Sequence, residues 1–489
     1  MRTLRQLAGL ATLLAPLPAL AHGFGRLYNL PVPFWLYAWA ASAALLLSFL
    51  LAAYFATAPA ATREGGNRDL GGQPLGRWLH RARPLLAALS LGLLLLCIAT
   101  GLAGNRDPYR NFSMTFFWVV FVLGGTYLSA LVGNVYAALN PWRVLTGLLS
   151  RAWSGYAQGR LSYREAWGDW PALALYLVFI GLELFGHSKP PSLAQMLLAY
   201  SALNLFGVWL VGAGAWFRHC ELFSVFLRLI ALMAPLDYRP AETAAGRGRL
   251  RLRRPFSGLL RERPNSLSTV AFALAMLSTT AFDGLRATQW WVWLFWRDTT
   301  GWLTALVGRP PISALELLRP WYIRWELFWL LISPFLYLAA YLACLWLAKQ
   351  LTRSPRPLRE LALDFGYSLL PIALVYHATH YSTLLLTQGL KIVSLCSDPF
   401  GWGWNLFGSA QLLRAPILPA MGTVWHTQVG LILFGHVLSV CVAHRIALRI
   451  WPGRRLALLS QLPMLLLMVA FTVAGLWILA QPLTVELMR

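Results

Sequence analysis

Long apolar runs dominate the chain, separated by short polar or Pro- and Gly-rich stretches. A bilayer core of roughly 30 Å needs about 20 apolar residues per helix. On that template the pattern predicts ten spans, at 34–56, 84–103, 114–136, 171–186, 193–217, 267–283, 326–348, 365–387, 424–443 and 456–480. The fourth and sixth are short. The expected fold class is all-α, a polytopic transmembrane helix bundle, with residues 22–489 forming one membrane-embedded domain. No internal repeat is visible, so a transporter built on inverted repeats is not signalled.

Residues 1–21 precede the first span and read as a signal peptide. Arg2 and Arg5 form a charged start, an apolar stretch follows, and Ala19-Leu20-Ala21 fits the small-x-small cleavage rule. The alternative, an uncleaved anchor, is disfavoured by Pro16 and Pro18. Cleavage leaves His22 as the N-terminus outside the membrane, and ten spans return the C-terminus to the same side. The charges agree with this orientation. Segments placed inside hold 27 Lys and Arg against 12 outside, the asymmetry expected of cationic cytoplasmic loops. The expected location is the bacterial inner membrane with both termini periplasmic. The basic inside loop, about 218–266, contains GRGRLRLRRP at 246–255, which suits topology setting or contact with anionic lipid headgroups. Outside, 284–325 and 388–423 are rich in Trp, Pro and Gly, and we expect interfacial or re-entrant helices capping that face.

Composition narrows the function classes. Of 489 residues, 58% are hydrophobic and 12% charged, against about 25% charged in soluble domains. Disorder, collagen and a disulfide scaffold are excluded by the same figures. The net charge of +23 would suggest a nucleic-acid partner in a soluble protein; here the loops account for it, and the expected partner is the lipid bilayer. Five scattered cysteines include no CxxC pair. HExxH, GxSxG, the P-loop and a strand-linked GxGxxG are absent.

Ionisable groups within spans are costly and mark sites by default. His377 and His380, at i and i+3, share a helical face. His436 lies about 12 residues below the outer edge of its span and His377 about 10, so antiparallel neighbours would bring His377, His380 and His436 to one depth. Glu183, Asp283 and Asp398 fall on the same side. Two or three imidazoles with a carboxylate suit zinc, manganese or iron, and a metal-bound water is a hydroxide source near neutral pH. Asp283 or Asp398 would orient a ligand or act as general base. His22, as a free N-terminus, is an optional ligand that would favour copper. Structural hydrogen bonding, haem binding and a proton path are the alternative readings of the histidines. His80, His219 and His444 read as interfacial and His187 as solvated.

Several segments together resemble the bacterial integral-membrane family labelled fenitrothion hydrolase. They are AHGFGRLYNLPVPFWLY (21–37), GNVYAALNPWR (133–143), ELFSVFLRLIALMAPL (221–236), VAFALAMLSTTAFDG (270–284), HATHYSTLLLTQG (377–389), SDPFGWGWNLFG (397–408) and GHVLSVCVAHRIAL (435–448). The resemblance implies hydrolysis of an organophosphorus triester with release of a phenol, on a hydrophobic small-molecule substrate that enters from the outer leaflet. It transfers no residue roles. Two other readings stand beside it: a periplasm-facing copper-binding or metal-redox protein using His22, and a transporter or assembly factor with structural histidines. The sequence names no partner subunit.

Overall fold

The computed structural model describes residues 32–55, 68–71, 73–186, 188–239, 249–417, 419–451 and 453–481. The expected signal peptide, His22 and His187 lie outside these residues. Among them, nine helices are long and apolar enough to cross a membrane, and the chain is an all-α, multi-pass membrane protein. The helices are α1 (Phe34–Phe55), α2 (Pro74–Ala103), α3 (Phe112–Leu131), α4 (Trp170–Phe185), α5 (Pro190–Val211), α6 (Leu222–Ile230), α7 (Leu267–Arg286), α8 (Gln289–Trp296), α9 (Trp302–Val307), α10 (Leu315–Thr352), α11 (Leu358–Thr387), α12 (Met421–Ile450) and α13 (Arg454–Ala480).

Ten spans were expected. The difference is α4, only 16 residues long, with Pro171 in its first turn and Gly186 closing it by a hydrogen bond to the Leu182 carbonyl. Such a helix is about 24 Å long. The expected third span ends early, at Leu131, before Gly133 (φ 152°). The fifth ends at Val211, where Gly212 (φ 86°) packs against the Gln158 carbonyl with no room for a side chain. Half of α3, Thr115–Gly124, is a π-helix, a form concentrated at functional sites.

At the centre stands α7, which packs against α4, α10, α11 and α13. Its small residues, among them Ala271, Ala273, Ala275 and Ser278, let these neighbours come close. Two buried hydroxyls on α7 bond within the helix, Thr279 and Thr280 donating to the carbonyls of Ala275 and Met276.

The segment 284–325 forms α8, α9 and the start of α10, joined by a small core of Val292, Trp296, Leu303, Leu318 and Tyr322. A minor antiparallel sheet, not expected from sequence, orders strands β1 (Arg68–Asp69), β3 (Arg249–Leu252) and β2 (Leu236–Arg239) in that sequence across its width. Buried Arg253 fastens it by donating to the carbonyls of Ala231 and Ala234.

Candidate functional site

Asp283 lies on the last turn of α7, and the neighbouring helix α11 carries His377, His380 and Tyr381. The Asp283 side chain is 2% exposed; its Oδ2 is 2.8 Å from His380 Nε2 and accepts from the Tyr381 hydroxyl at 3.1 Å. One turn along the same helix, Arg286 Nε stands 3.9 Å from Oδ1. Its guanidinium lies over the Phe185 ring, and Nη2 donates to the Leu184 carbonyl at 3.3 Å. An ionised carboxylate only accepts hydrogen bonds, so beside ionised Asp283 it is His380 Nε2–H that donates. A Cβ at position 284 would fall 2.7 Å from the Ile478 side chain, so glycine here lets α13 approach α7.

His377, one turn earlier, faces a small cavity of about 30 Å3, largely apolar with polar groups in its wall, between α3, α4, α6, α7 and α11. Glu183, Thr279, Thr280, Tyr176 and Tyr381 share the lining, and the volume is enough for a water molecule. His377 packs its ring edgewise on Tyr127 and beside Tyr381, while its buried Nδ1 finds no hydrogen-bond partner. Tyr176 and Thr279 are hydrogen-bonded across the α4–α7 contact at 3.1 Å. The cavity is walled on one side by Val122 and Leu123 of the π-helix.

The expected meeting of His377, His380 and His436 does not occur in this arrangement. Among the described residues no group of three or more His, Cys, Asp and Glu side chains converges as a metal site. α11 and α12 do pack together, with Gly435 against Val375 and the Pro371 carbonyl. His436 is fully buried, but its Nδ1–H turns back to the Ile432 carbonyl of its own helix at 2.8 Å. Its Nε2 is buried without a hydrogen-bond partner and is not part of the cavity wall. Among the described residues the expected donors thus stand apart, and His22 lies outside them.

Asp398 has a local task. Its two oxygens accept from the backbone N–H groups of Trp402 and Gly403, at 2.9 and 2.8 Å. This holds the turn that docks on the α2–α3 connection, where Asn105 N–H donates to the Phe400 carbonyl. His444 meets Gln461 between α12 and α13, and His426 is bound to the Gly422 carbonyl beside Tyr37.

Sequence reasoning passed over two buried networks. Glu221 accepts from Tyr136, Tyr200 and Asn140 and caps α6 through the N–H groups of Phe223 and Ser224. Asp169 binds His219 Nδ1 at 2.7 Å and the Thr269 hydroxyl at 2.6 Å, with Arg228 at 3.6 Å. The available signals were a carboxylate immediately before an apolar helix in each case, the pattern of an N-terminal cap. In comparisons with protein-family models, curated proteins and solved structures, the chain matches none.

Proposed function

We propose that the chain is a membrane-embedded hydrolase of neutral, lipid-soluble phosphotriesters in the bacterial inner membrane, with both termini on the periplasmic side, an arrangement in which the 16-residue α4 crosses together with the nine longer helices. The observation that carries the reading is the Asp283–His380 pair, buried at its carboxylate end and joined through the Tyr381 hydroxyl to the wall of a cavity of water size. Asp283 fixes the imidazole tautomer, and His380 Nδ1 takes a proton from water as the water oxygen attacks phosphorus. The bond from phosphorus to the aryl oxygen breaks, and the phenol leaves as its anion. Tyr381 and Arg286 hold Asp283 in place. His380 keeps 17% of its side chain exposed, so the imidazole is reachable from beyond the cluster. The resemblance noted in the sequence supports the substrate class, and an apolar bundle suits an uncharged ester.

The test is release of nitrophenolate from a dialkyl nitrophenyl phosphotriester by detergent-purified full-length protein. Conversion of His380→Gln or Asp283→Asn should lower the rate by roughly 10²–10⁴, with folding checked by thermal unfolding. Folded wild-type protein with no turnover, or variants that keep it, would end this reading. A stoichiometric divalent ion in the same preparation, lost in His377→Ala, would replace the proposed water activation with a metal-assisted one.

A further inference from the structure

A second cavity, about 480 Å3, lies between α2, α3 and the Val135–Trp142 segment. That volume is in the range of ligand sites. Its wall is carbon, formed by side chains such as Leu86, Leu93, Phe117, Phe121 and Leu197. Two of its polar side chains are engaged elsewhere: the Ser90 hydroxyl donates to the Leu139 carbonyl, and the Tyr136 hydroxyl to Glu221 Oε1. The lining suits an apolar occupant.

The position of the mouth identifies what enters. Leu89 and Leu128 belong to the wall yet are 56% and 46% exposed on the outside of the bundle. Both sit on membrane-spanning helices, α2 and α3, so the cavity opens sideways to lipid. An unfilled apolar space forfeits dispersion contacts along its whole lining, and acyl chains are the solvent at this mouth. Gly125 helps to make the space: its backbone is ordinary right-handed helix (φ −61°, ψ −37°), and a Cβ there would meet nothing within 4 Å.

Leu86, Ser90, Leu93 and Cys97 form a stripe on α2 at helical spacing. Arg83, three residues before Leu86, continues that stripe beyond the cavity wall and is exposed. The whole of α2 carries no carboxylate. We propose that the cavity holds one acyl chain of an anionic phospholipid whose phosphate rests on Arg83. The occupant then backs the π-helix on the face opposite His377 and Tyr381, since Phe117 and Phe121 line this cavity while Val122 and Leu123 line the smaller one. This inference stands independently of the hydrolase reading.

Native mass spectrometry of the full chain in mild detergent tests it, with phosphatidylglycerol and phosphatidylcholine of identical chains as probes. The wild type should retain one phosphatidylglycerol about tenfold more tightly than phosphatidylcholine. Gly125→Leu, which fills the cavity from an unstrained position, should lower retention of both by about tenfold at an unchanged unfolding temperature. Arg83→Gln should remove the preference for phosphatidylglycerol and leave phosphatidylcholine retention as it was. Equal retention in folded Gly125→Leu overturns the cavity assignment, and a preserved preference in Arg83→Gln overturns the headgroup assignment. Should Gly125→Leu not fold, phosphatidylglycerol with a diazirine at its chain end decides on wild-type protein. Labelling within 86–97 and 116–129 supports the site, and labelling spread evenly over other spans overturns it.

Discussion

At the scale of single residues, hydrogen bonding separates carboxylates that the sequence presents as equals. Asp283 holds an imidazole, whereas Asp398 holds a turn. Tyr381→Phe should therefore be mild: Asp283 loses one of its partners, a loss of about 1 kcal/mol in thermal unfolding, while His380 stays oriented and turnover stays within about tenfold of wild type. Asp398→Ala should leave turnover intact and loosen the 398–403 turn, read as faster proteolysis there. Asp169 offers a pH test. Burial opposes its ionisation, but the hydrogen bond to His219, the Arg228 charge and the Thr269 hydroxyl together hold its carboxyl below the ordinary value of 3.8. A depressed folded-state pKa contributes stability that is complete above that ordinary value and is lost as pH falls through the lower one. The unfolding temperature of wild type should thus drop more steeply below about pH 4 than that of Asp169→Asn.

Between elements, two glycines set how closely α11 meets its neighbours. A Cβ at Gly475 of α13 would fall 1.1 Å from the Tyr376 hydroxyl oxygen. Gly475→Ala must push Tyr376 aside, and we expect a loss of about 1–3 kcal/mol in stability. Turnover should fall further than stability alone explains, because His377 follows Tyr376 directly; unfolding and rate measurements on one preparation would show it. These contacts also explain what the sequence revealed. Apolar run length placed α4 and α13 within about two residues of their observed ends, since hydropathy changes sharply there. Matching depths correctly suggested α11 beside α12. Depth carries no azimuth, however, and Gly435 rather than His436 faces α11 at the Val375 contact. The π-helix was invisible because TFFWVVFVLG is apolar on every side, leaving no periodicity to read. The start of α10 was hidden for another reason: Pro320 looks like a break, yet the helix runs through it, as spanning helices often do.

For the whole molecule, the polar groups concentrate on one central helix and the faces it meets, and α7 is almost wholly enclosed. The pattern of apolar runs gave the class of fold but not this centre, because α7 looks no more apolar than its neighbours. What distinguishes it is the mixture of small and hydroxyl side chains, which only packing on all sides makes useful. The length of α4 has a further consequence. A 24 Å helix beside a hydrocarbon layer of roughly 30 Å creates hydrophobic mismatch, and the membrane next to it must thin. Glu183 and Asp283 then sit nearer to water than their sequence depth suggests, close to the site of the proposed hydrolysis. Reconstituted protein should turn over faster in short-chain than in long-chain phosphatidylcholine vesicles, making membrane thickness itself a control on the reaction.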